Sequence, residues 1–190
     1  DKGGNGVKAS SFLYLAAFGL RTILFRREDP ILGTVILTDQ CNLTCKHCSV
    51  NNLRGVLYPY ARVRADMETL YAMGVRILFF CGGETFLWRD GARTLRDLVR
   101  EAKAMGFLIV NVVTNGTFPI DLPEADLILL SLDGDRERHN AIRGETYDTI
   151  LENVRRATAD NICFYMALNQ INKGAIRPVC EAARDLPHVR

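Results

Sequence analysis

Short apolar runs alternate with amphipathic segments along most of the chain. Each apolar run is nearly continuous and is followed by polar or glycine residues, which is typical of strands in a sheet that helices cover. The pattern predicts five such strands, at residues 34–37, 76–80, 108–113, 127–130 and 163–168. Strands that alternate with helices in this way indicate an α/β domain with a parallel sheet.

The segments between the strands carry apolar residues at helical spacing. The first stripe is Val63, Met67, Leu70 and Tyr71, the second is Leu95, Leu98, Val99 and Ala102, and the third is Tyr147, Ile150, Leu151 and Val154. Gly74 and Gly106 follow the first two stripes and are expected to end those helices, because glycine readily adopts the left-handed conformation of a helix C-terminus. A last helix is predicted over residues 177–185, and residues 186–190 lie where a sixth strand would start.

Polar and glycine residues appear at the carboxyl end of every predicted strand. The loops that leave parallel strands converge at one edge of the sheet, where α/β folds bind their ligands. We therefore expect five polar tips to line one mouth. They are residues 38–41, 82–85, 114–116, 131–134 and 169–170.

Three cysteines, Cys41, Cys45 and Cys48, follow the first predicted strand at spacings of four and three residues. Thiolates select zinc, cuprous copper and iron-sulfur clusters over hard cations. A structural zinc site needs four ligands, and no second pair of cysteines follows at a matching spacing. Three ligands leave one coordination position open, so the spacing favours a reactive metal or cluster site.

The same three cysteines also fit one face of a helix, because positions i, i+4 and i+7 lie on the same side. In that alternative the thiols would be small core residues of an amphipathic turn. Their neighbours argue against it, since Asn42, Thr44, Lys46, His47 and Ser49 are polar.

Composition describes an ordinary globular protein. The chain has 190 residues, 48% of them hydrophobic and 24% charged, which suits one domain with a sizeable core. A formal net charge of +2 is too small to indicate nucleic acid as a partner. Six cysteines with three of them clustered do not resemble a secreted disulfide framework, so a reducing, cytoplasmic compartment is expected. Cys81, Cys163 and Cys180 are predicted to be buried as small hydrophobic residues.

The N-terminal residues 1–28 are predicted to be a glycine-rich lead and an apolar helix, and residues 29–190 form the core. Arg21 interrupts the apolar run before it reaches the roughly 20 residues that span a membrane. We expect this helix to pack on the domain. In the alternative, residues 12–27 would contact a membrane surface, with Arg21, Arg26 and Arg27 facing lipid headgroups.

The segment Cys41-x3-Cys45-x-His47-Cys48 resembles the C-x3-C-x-Φ-C signature of the radical S-adenosylmethionine (SAM) enzymes, with His47 where that family usually has an aromatic residue. Further family segments follow in the expected order, so the resemblance spans residues 33–170. It implies a partial, open (β/α) TIM-type barrel of six parallel strands. It also implies a 4Fe-4S cluster on the three cysteines, with SAM bound at the open iron and His47 beside it.

The other family segments assign cofactor-binding roles by resemblance. Gly82-Gly83-Glu84 matches the segment that holds the methionine amine of SAM, although Thr85 replaces the usual proline. Asn115, in a Thr-Asn-Gly triplet, matches a residue that lines the pocket. The segment Ser131-x-Asp133-Gly134 followed by His139-x3-Arg143-Gly144 resembles the branch that modifies peptides and proteins. The assigned residues are Gly82, Gly83, Glu84, Asn115, Ser131, Asp133 and Arg143, of which Ser131 and Arg143 would bind the SAM carboxylate.

His139 receives no catalytic role and is taken as a helix-surface residue. The carboxylate-binding role of Arg143 rests on its planar guanidinium, which suits two parallel hydrogen bonds.

The resemblance implies that SAM is cleaved reductively to methionine and a 5'-deoxyadenosyl radical, which abstracts hydrogen from a substrate. A reductase, flavodoxin or ferredoxin would supply the electron. The substrate would be a peptide or protein, or a small molecule of a lipid pathway as in hopanoid adenosyltransferases. A nonenzymatic alternative is a zinc or iron-sulfur binding module.

Overall fold

The computed structural model describes residues 9–26, 28–50 and 54–190. In these ranges the strands are β1 (Leu32–Thr38), β2 (Ile77–Gly82), β3 (Arg89–Asp90), β4 (Arg93–Thr94), β5 (Ile109–Thr114), β6 (Leu127–Ser131) and β7 (Ile162–Tyr165). The helices are α1 (Ala9–Phe25), α2 (Tyr60–Ala72), α3 (Leu95–Met105), α4 (Arg136–Arg143), α5 (Tyr147–Arg155) and α6 (Ile176–Arg184). The predicted glycine-rich lead and Arg27 lie outside the described residues.

The central sheet has the order β1-β2-β5-β6-β7, and each neighbouring pair is parallel. The short strands β3 and β4 form a separate antiparallel hairpin before α3. All five predicted strands are therefore present, and the predicted α/β class with a parallel sheet is confirmed. The strands of the central sheet follow one another in chain order, as the strands of a (β/α) barrel do.

β7 ends earlier than the sequence pattern predicts, at Tyr165 instead of residue 168. The backbone N–H of Ala167 donates to the carboxylate of Asp133 at 3.0 Å, and the Ala167 carbonyl accepts from the Asn172 side chain at 3.0 Å. These side chains satisfy the Ala167 backbone without a sheet neighbour. Apolar residues after Tyr165 therefore leave the sheet, which an apolar run alone does not indicate.

The last three residues lie at the outer edge of β7. The N–H of Ile162 donates to the His188 carbonyl at 2.9 Å, and the N–H of Arg190 donates to the Ile162 carbonyl at 3.0 Å. Val189 forms a parallel bridge with Ile162. Residues 188–190 thus lie at the position of a sixth parallel strand, where the sequence was expected to stop before that strand begins.

Helices cover one face of the sheet. Along β1, Val35 and Leu37 are 2% and 0% exposed and pack in the core, whereas Leu32 and Ile36 point to the other face and are 52% and 48% exposed. α2 places Val63 and Met67 of the predicted first stripe in the same core, and α3 and α5 bury residues of the other two stripes. The face that helices do not cover is the inner face of the partial barrel.

Glycines end the first two helices much as predicted. Gly106 is the C-cap of α3 with φ of 105°, and Gly74, with φ of 101°, directly follows Met73, the C-cap of α2. Both φ values lie in the left-handed region that favours glycine. This conformation lets the chain turn from each helix into the next strand of the sheet.

α1 is formed, but many of its large apolar side chains are exposed, with Phe12 at 66% and Ile23 at 77%. The ring of Tyr14 lies 5.7 Å from the Arg76 guanidinium, a cation-π contact with the start of β2. The expected packing of this helix on the domain is therefore partial. Of the helices described, none has the length and apolar character needed to cross a bilayer. Contact with a membrane surface stays a prediction.

Candidate active site

The tips of β1 and β2 are joined by backbone hydrogen bonds. The N–H of Gly83 donates to the Thr38 carbonyl, and the N–H of Glu84 donates to the Gln40 carbonyl, each at 2.8 Å. A side chain at either glycine would collide with this backbone, because a Cβ would lie 2.4 Å from the Thr38 oxygen at Gly82 and 2.1 Å from the Gln40 oxygen at Gly83. The close approach that these two glycines permit is therefore to the start of the cysteine loop.

Glu84 connects the tips of β2 and β5. Its carboxylate is fully buried and accepts from the Phe86 N–H at 3.0 Å, the Thr114 hydroxyl at 2.7 Å and the Asn115 N–H at 2.7 Å. Burial raises the pKa of the Glu84 carboxyl, and these three donors oppose the increase. In this arrangement Glu84 holds the tips of β2 and β5 together. To bind an ammonium group, its carboxylate would have to give up contacts that join these two tips.

The three cysteines lie on a loop between β1 and α2 and not on a helix, so the alternative of an amphipathic turn is wrong. One hydrogen bond within the loop and another to α4 fix its position. The N–H of Cys48 donates to the Cys45 carbonyl at 3.1 Å, and the N–H of Lys46 donates to the Ile142 carbonyl of α4 at 3.0 Å. The three thiols have helical spacing in the sequence, but they lie on a loop whose polar neighbours keep it at the surface.

Asp39 closes this loop, a role that the sequence pattern did not reveal. Its carboxylate accepts from the Arg54 N–H at 2.8 Å and from the Val56 N–H at 2.6 Å. The Thr38 hydroxyl donates to the Val56 carbonyl at 2.7 Å. Residues fifteen and more positions apart along the chain are thereby brought together, and the Asp residue immediately after a strand is the available sequence signal.

The three thiols are close enough to influence one another. Burial raises the pKa of Cys41 and Cys45, and the charge of the other thiols adds to the increase. Arg143 acts in the opposite sense on Cys45. Among the described residues, no three His, Cys, Asp or Glu side chains converge to hold a single metal ion.

Asn115 joins the tip of β5 to the cysteine loop. Its amide nitrogen donates to the Asn42 side chain at 2.9 Å and lies 3.6 Å from the Cys41 sulfur. Its amide oxygen accepts from the N–H and the hydroxyl of Thr117 at 2.9 and 2.7 Å. Asn42 in turn donates to the Thr117 hydroxyl at 2.8 Å. The predicted site residue Asn115 is thus next to Cys41.

Asp133 and Arg143 form a buried ion pair between the tip of β6 and the end of α4. The Arg143 Nε donates to the Asp133 carboxylate at 2.5 Å, and its Nη1 lies 3.9 Å from the Cys45 sulfur. The His47 ring nitrogen Nε2 lies 3.3 Å from the Asp133 carboxylate and 3.4 Å from the Arg143 Nη2. These predicted site residues are therefore together, directly beside Cys45.

Ser131 is 7% exposed at the end of β6, and within the described part of the chain its hydroxyl has no hydrogen-bond partner. Asn172 was not predicted as a site residue, yet it is fully buried and its amide donates to the Asp133 carbonyl at 3.0 Å. With the contacts above, Asn172 completes a chain of hydrogen bonds that connects the tips of the five strands at the carboxyl edge of the sheet.

His139 is fully buried, so its interpretation as a helix-surface residue is wrong. Its Nδ1 accepts from the Asp133 N–H at 3.1 Å, and its Nε2 lies 3.0 Å from the Thr146 hydroxyl. A ring that accepts at Nδ1 must be neutral. Burial, reinforced by the Arg143 charge, lowers the pKa of His139 to about 4.

Acidification from about pH 7 to about pH 5 is expected to reduce the free energy of unfolding of the cluster-free chain by about 2 kcal/mol through His139 alone. The pKa is 6.5 for an ordinary histidine and about 4 here, so this stability is fully present above 6.5 and is lost as the pH falls towards 4. Urea unfolding at the two pH values measures it. The glutamine in His139→Gln cannot be protonated, so the free energy of unfolding of this variant should fall correspondingly less between the two pH values. An equal decrease in both proteins would contradict the assignment of this pH dependence to His139.

The prediction that the other three cysteines are buried is wrong. Cys81 and Cys163 are partly exposed, and Cys180 is exposed. On α6 the core-facing residue is Val179, so its neighbour Cys180 points outward. Cys81 and Cys163 alternate with the core residues Phe80 and Ile162 of their strands and so belong to the face that helices do not cover.

A family model described as the Radical SAM superfamily matches residues 35–180, well over half of the chain. The chain belongs to the radical SAM superfamily. This family uses a 4Fe-4S cluster and SAM as its cofactors. Three thiols on one loop fit such a cluster, whose irons are held by cysteine thiolates.

Two curated proteins are similar to the chain in sequence. The 7,8-dihydro-6-hydroxymethylpterin dimethyltransferase of Methanocaldococcus jannaschii is 30% identical over 154 residues, covering 72% of this chain and 30% of that protein. The sporulation killing factor maturation protein SkfB of Bacillus subtilis is 28% identical over 168 residues, covering 80% of this chain and 39% of that protein. The chain therefore spans well under half the length of these relatives.

Two solved structures have a similar fold. SuiB of Streptococcus suis superposes with a TM-score of 0.67 at 12% identity, covering 92% of this chain and 42% of SuiB. The FeFe-hydrogenase maturase HydG of Carboxydothermus hydrogenoformans has a TM-score of 0.61 at 15% identity, covering 90% of this chain and 44% of HydG. The predicted partial TIM-type barrel is thereby confirmed.

Proposed function

We propose that this chain is the core of a radical SAM enzyme in which Cys41, Cys45 and Cys48 hold a 4Fe-4S cluster. The observation that carries the proposal is that the three thiols lie on one loop at the carboxyl edge of a parallel sheet, where the strand tips meet. When bound and reduced, the cluster supplies the electron that cleaves SAM to methionine and a 5'-deoxyadenosyl radical. An electron donor of the flavodoxin, ferredoxin or reductase type would provide it.

The residues of the chain orient the cofactor and restrict water. Ser131 offers a hydroxyl without a partner among the described residues, and Arg143 directs its Nη atoms towards the cysteine loop, so these two are proposed to bind the SAM carboxylate. Gly82 and Gly83 fix the start of the loop. By the family resemblance alone, Glu84 is proposed at the methionine amine, where its carboxylate would have to exchange a contact at the tip of β5 for the ammonium group. Each assignment is a proposal.

Anaerobic reconstitution with iron and sulfide, followed by dithionite and SAM, tests the activity. The expected product is 5'-deoxyadenosine, measured by liquid chromatography and mass spectrometry. A protein that binds one zinc ion, or that assembles a stable cluster and yields no 5'-deoxyadenosine, would support the nonenzymatic binding module instead.

For the substrate we propose a peptide or protein. Two observations support this class: the Ser131-x-Asp133-Gly134 and His139-to-Gly144 segments, and the similarity to SkfB, a maturation protein by name. A pterin is the alternative, since the other relative is named as a pterin dimethyltransferase. A defined peptide mixture is expected to increase 5'-deoxyadenosine formation above the rate without substrate. An increase with 6-hydroxymethylpterin alone would reject the peptide class.

A further inference from the structure

Two cysteine sulfurs each lie beside an N–H donor from another part of the chain. The amide nitrogen of Asn115 is 3.6 Å from the Cys41 sulfur, and the guanidinium Nη1 of Arg143 is 3.9 Å from the Cys45 sulfur. Sulfur is a larger and weaker acceptor than oxygen, so such contacts are long. Both donors come from residues that the family resemblance assigns to cofactor binding.

The Arg143 donor is held in place by charge and by backbone contacts. Its Nε is bound to the Asp133 carboxylate, which is itself buried and accepts the Ala167 N–H at 3.0 Å. The residue before Arg143 accepts the Lys46 N–H, next to Cys45, at 3.0 Å. The Arg143 guanidinium therefore has a fixed position relative to the cysteine loop, and its Nη1 faces the Cys45 sulfur.

The Asn115 donor is oriented by the partners of its oxygen. Because Thr117 donates both its N–H and its hydroxyl to that oxygen, the amide NH2 group must point the other way, towards Asn42 and Cys41. The Asn115 backbone is fixed by its hydrogen bond to Glu84 at 2.7 Å. An amide oxygen turned to the sulfur would leave the Thr117 donors without an acceptor.

We infer that Asn115 and Arg143 raise the reduction potential of the cluster by donating to the sulfurs of Cys41 and Cys45. This inference rests on the proposed cluster site. Hydrogen bonds to the ligand sulfurs and nearby positive charge both stabilise the reduced state, which carries one more negative charge. The two residues would thus act on electron entry as positioning residues, in addition to any contact with SAM.

A redox titration of the reconstituted protein without SAM tests this inference, with the reduced cluster measured by electron paramagnetic resonance. In Arg143→Met the ratio of reduced to oxidised cluster at the wild-type midpoint is expected to fall about tenfold, a shift of about 59 mV for one electron. Arg143→Lys retains the charge and should recover part of the shift. Asn115→Asp replaces the donor with an acceptor of the same shape and should shift the potential in the same negative direction.

Arg156→Met is the control, because the Arg156 side chain is 79% exposed and pairs with Glu152 on α5. Its midpoint should equal that of the wild type. If Arg143→Met fails to hold a cluster, Arg143→Lys and Asn115→Asp decide the question. Equal midpoints at equal iron content would overturn this inference alone, whereas a wild-type protein that assembles no cluster would overturn the proposed function and the inference with it.

Discussion

Replacement of Cys45 by alanine is expected to abolish assembly of the iron-sulfur cluster. Cys45 is the middle one of the three proposed ligands in the sequence, its sulfur faces Arg143, and the N–H of Cys48 donates to its carbonyl. Two remaining thiolates hold an iron cluster poorly, because each ligand lost leaves another iron exposed to solvent and chelators. Iron and sulfide per chain after anaerobic reconstitution measure the effect, and the variant should retain almost none.

Cys180→Ala is the matched control, since Cys180 is an exposed thiol on α6. This variant is expected to bind iron and sulfide as the wild type does. The circular dichroism spectra of both variants should match that of the unreconstituted wild-type chain. Similar iron contents in Cys45→Ala and Cys180→Ala would count against the assignment of the cysteine loop.

Gly83→Ala is expected to destabilise the chain by about 3 kcal/mol or more. A Cβ at Gly83 would lie 2.1 Å from the Gln40 carbonyl oxygen, and backbone cannot move aside as a flexible side chain can. The displacement would break the hydrogen bonds from the N–H groups of Gly83 and Glu84 to the end of β1. Since Gln40 directly precedes Cys41, cluster assembly should decline as well.

Urea unfolding followed by the fluorescence of Trp88, the single tryptophan, which is fully buried, measures the loss. Gly19→Ala on α1 is the control, because nothing lies within 4 Å of a Cβ built there. That substitution should be neutral or stabilise slightly, as alanine favours a helix. If both substitutions changed the free energy of unfolding equally, the steric argument at Gly83 would be wrong.

The sheet could be predicted from the sequence because its strands are continuous apolar runs that end in polar tips. The helical stripes were equally clear, since residues such as Val63, Leu98 and Ile150 recur at helical spacing and are buried. The end of β7 was predicted too late by three residues. It depends on Asp133 and Asn172, which bind the Ala167 backbone from positions distant in the chain, and no local pattern contains that information.

The sequence predicted which residues lie near the cysteine loop, but it did not predict the contacts that they make. The order of the motifs predicted that Asn115, Asp133 and Arg143 lie near the cysteines. Their partners could not be predicted, because each partner is a neighbour in space and not in sequence. Asp39, which closes the cysteine loop, carries no family motif, and the burial of His139 depends on how α4 packs against the tip of β6.

The closed cysteine loop affects how metal binding and folding are coupled. In small zinc domains the metal orders its own ligands, and the binding free energy is folding free energy. Here Thr38, Asp39, Lys46 and Asn115 already fix the described parts of the loop through protein hydrogen bonds. These protein contacts contribute to the order of the loop, so its folding would depend less on bound iron than the folding of a small zinc domain depends on zinc.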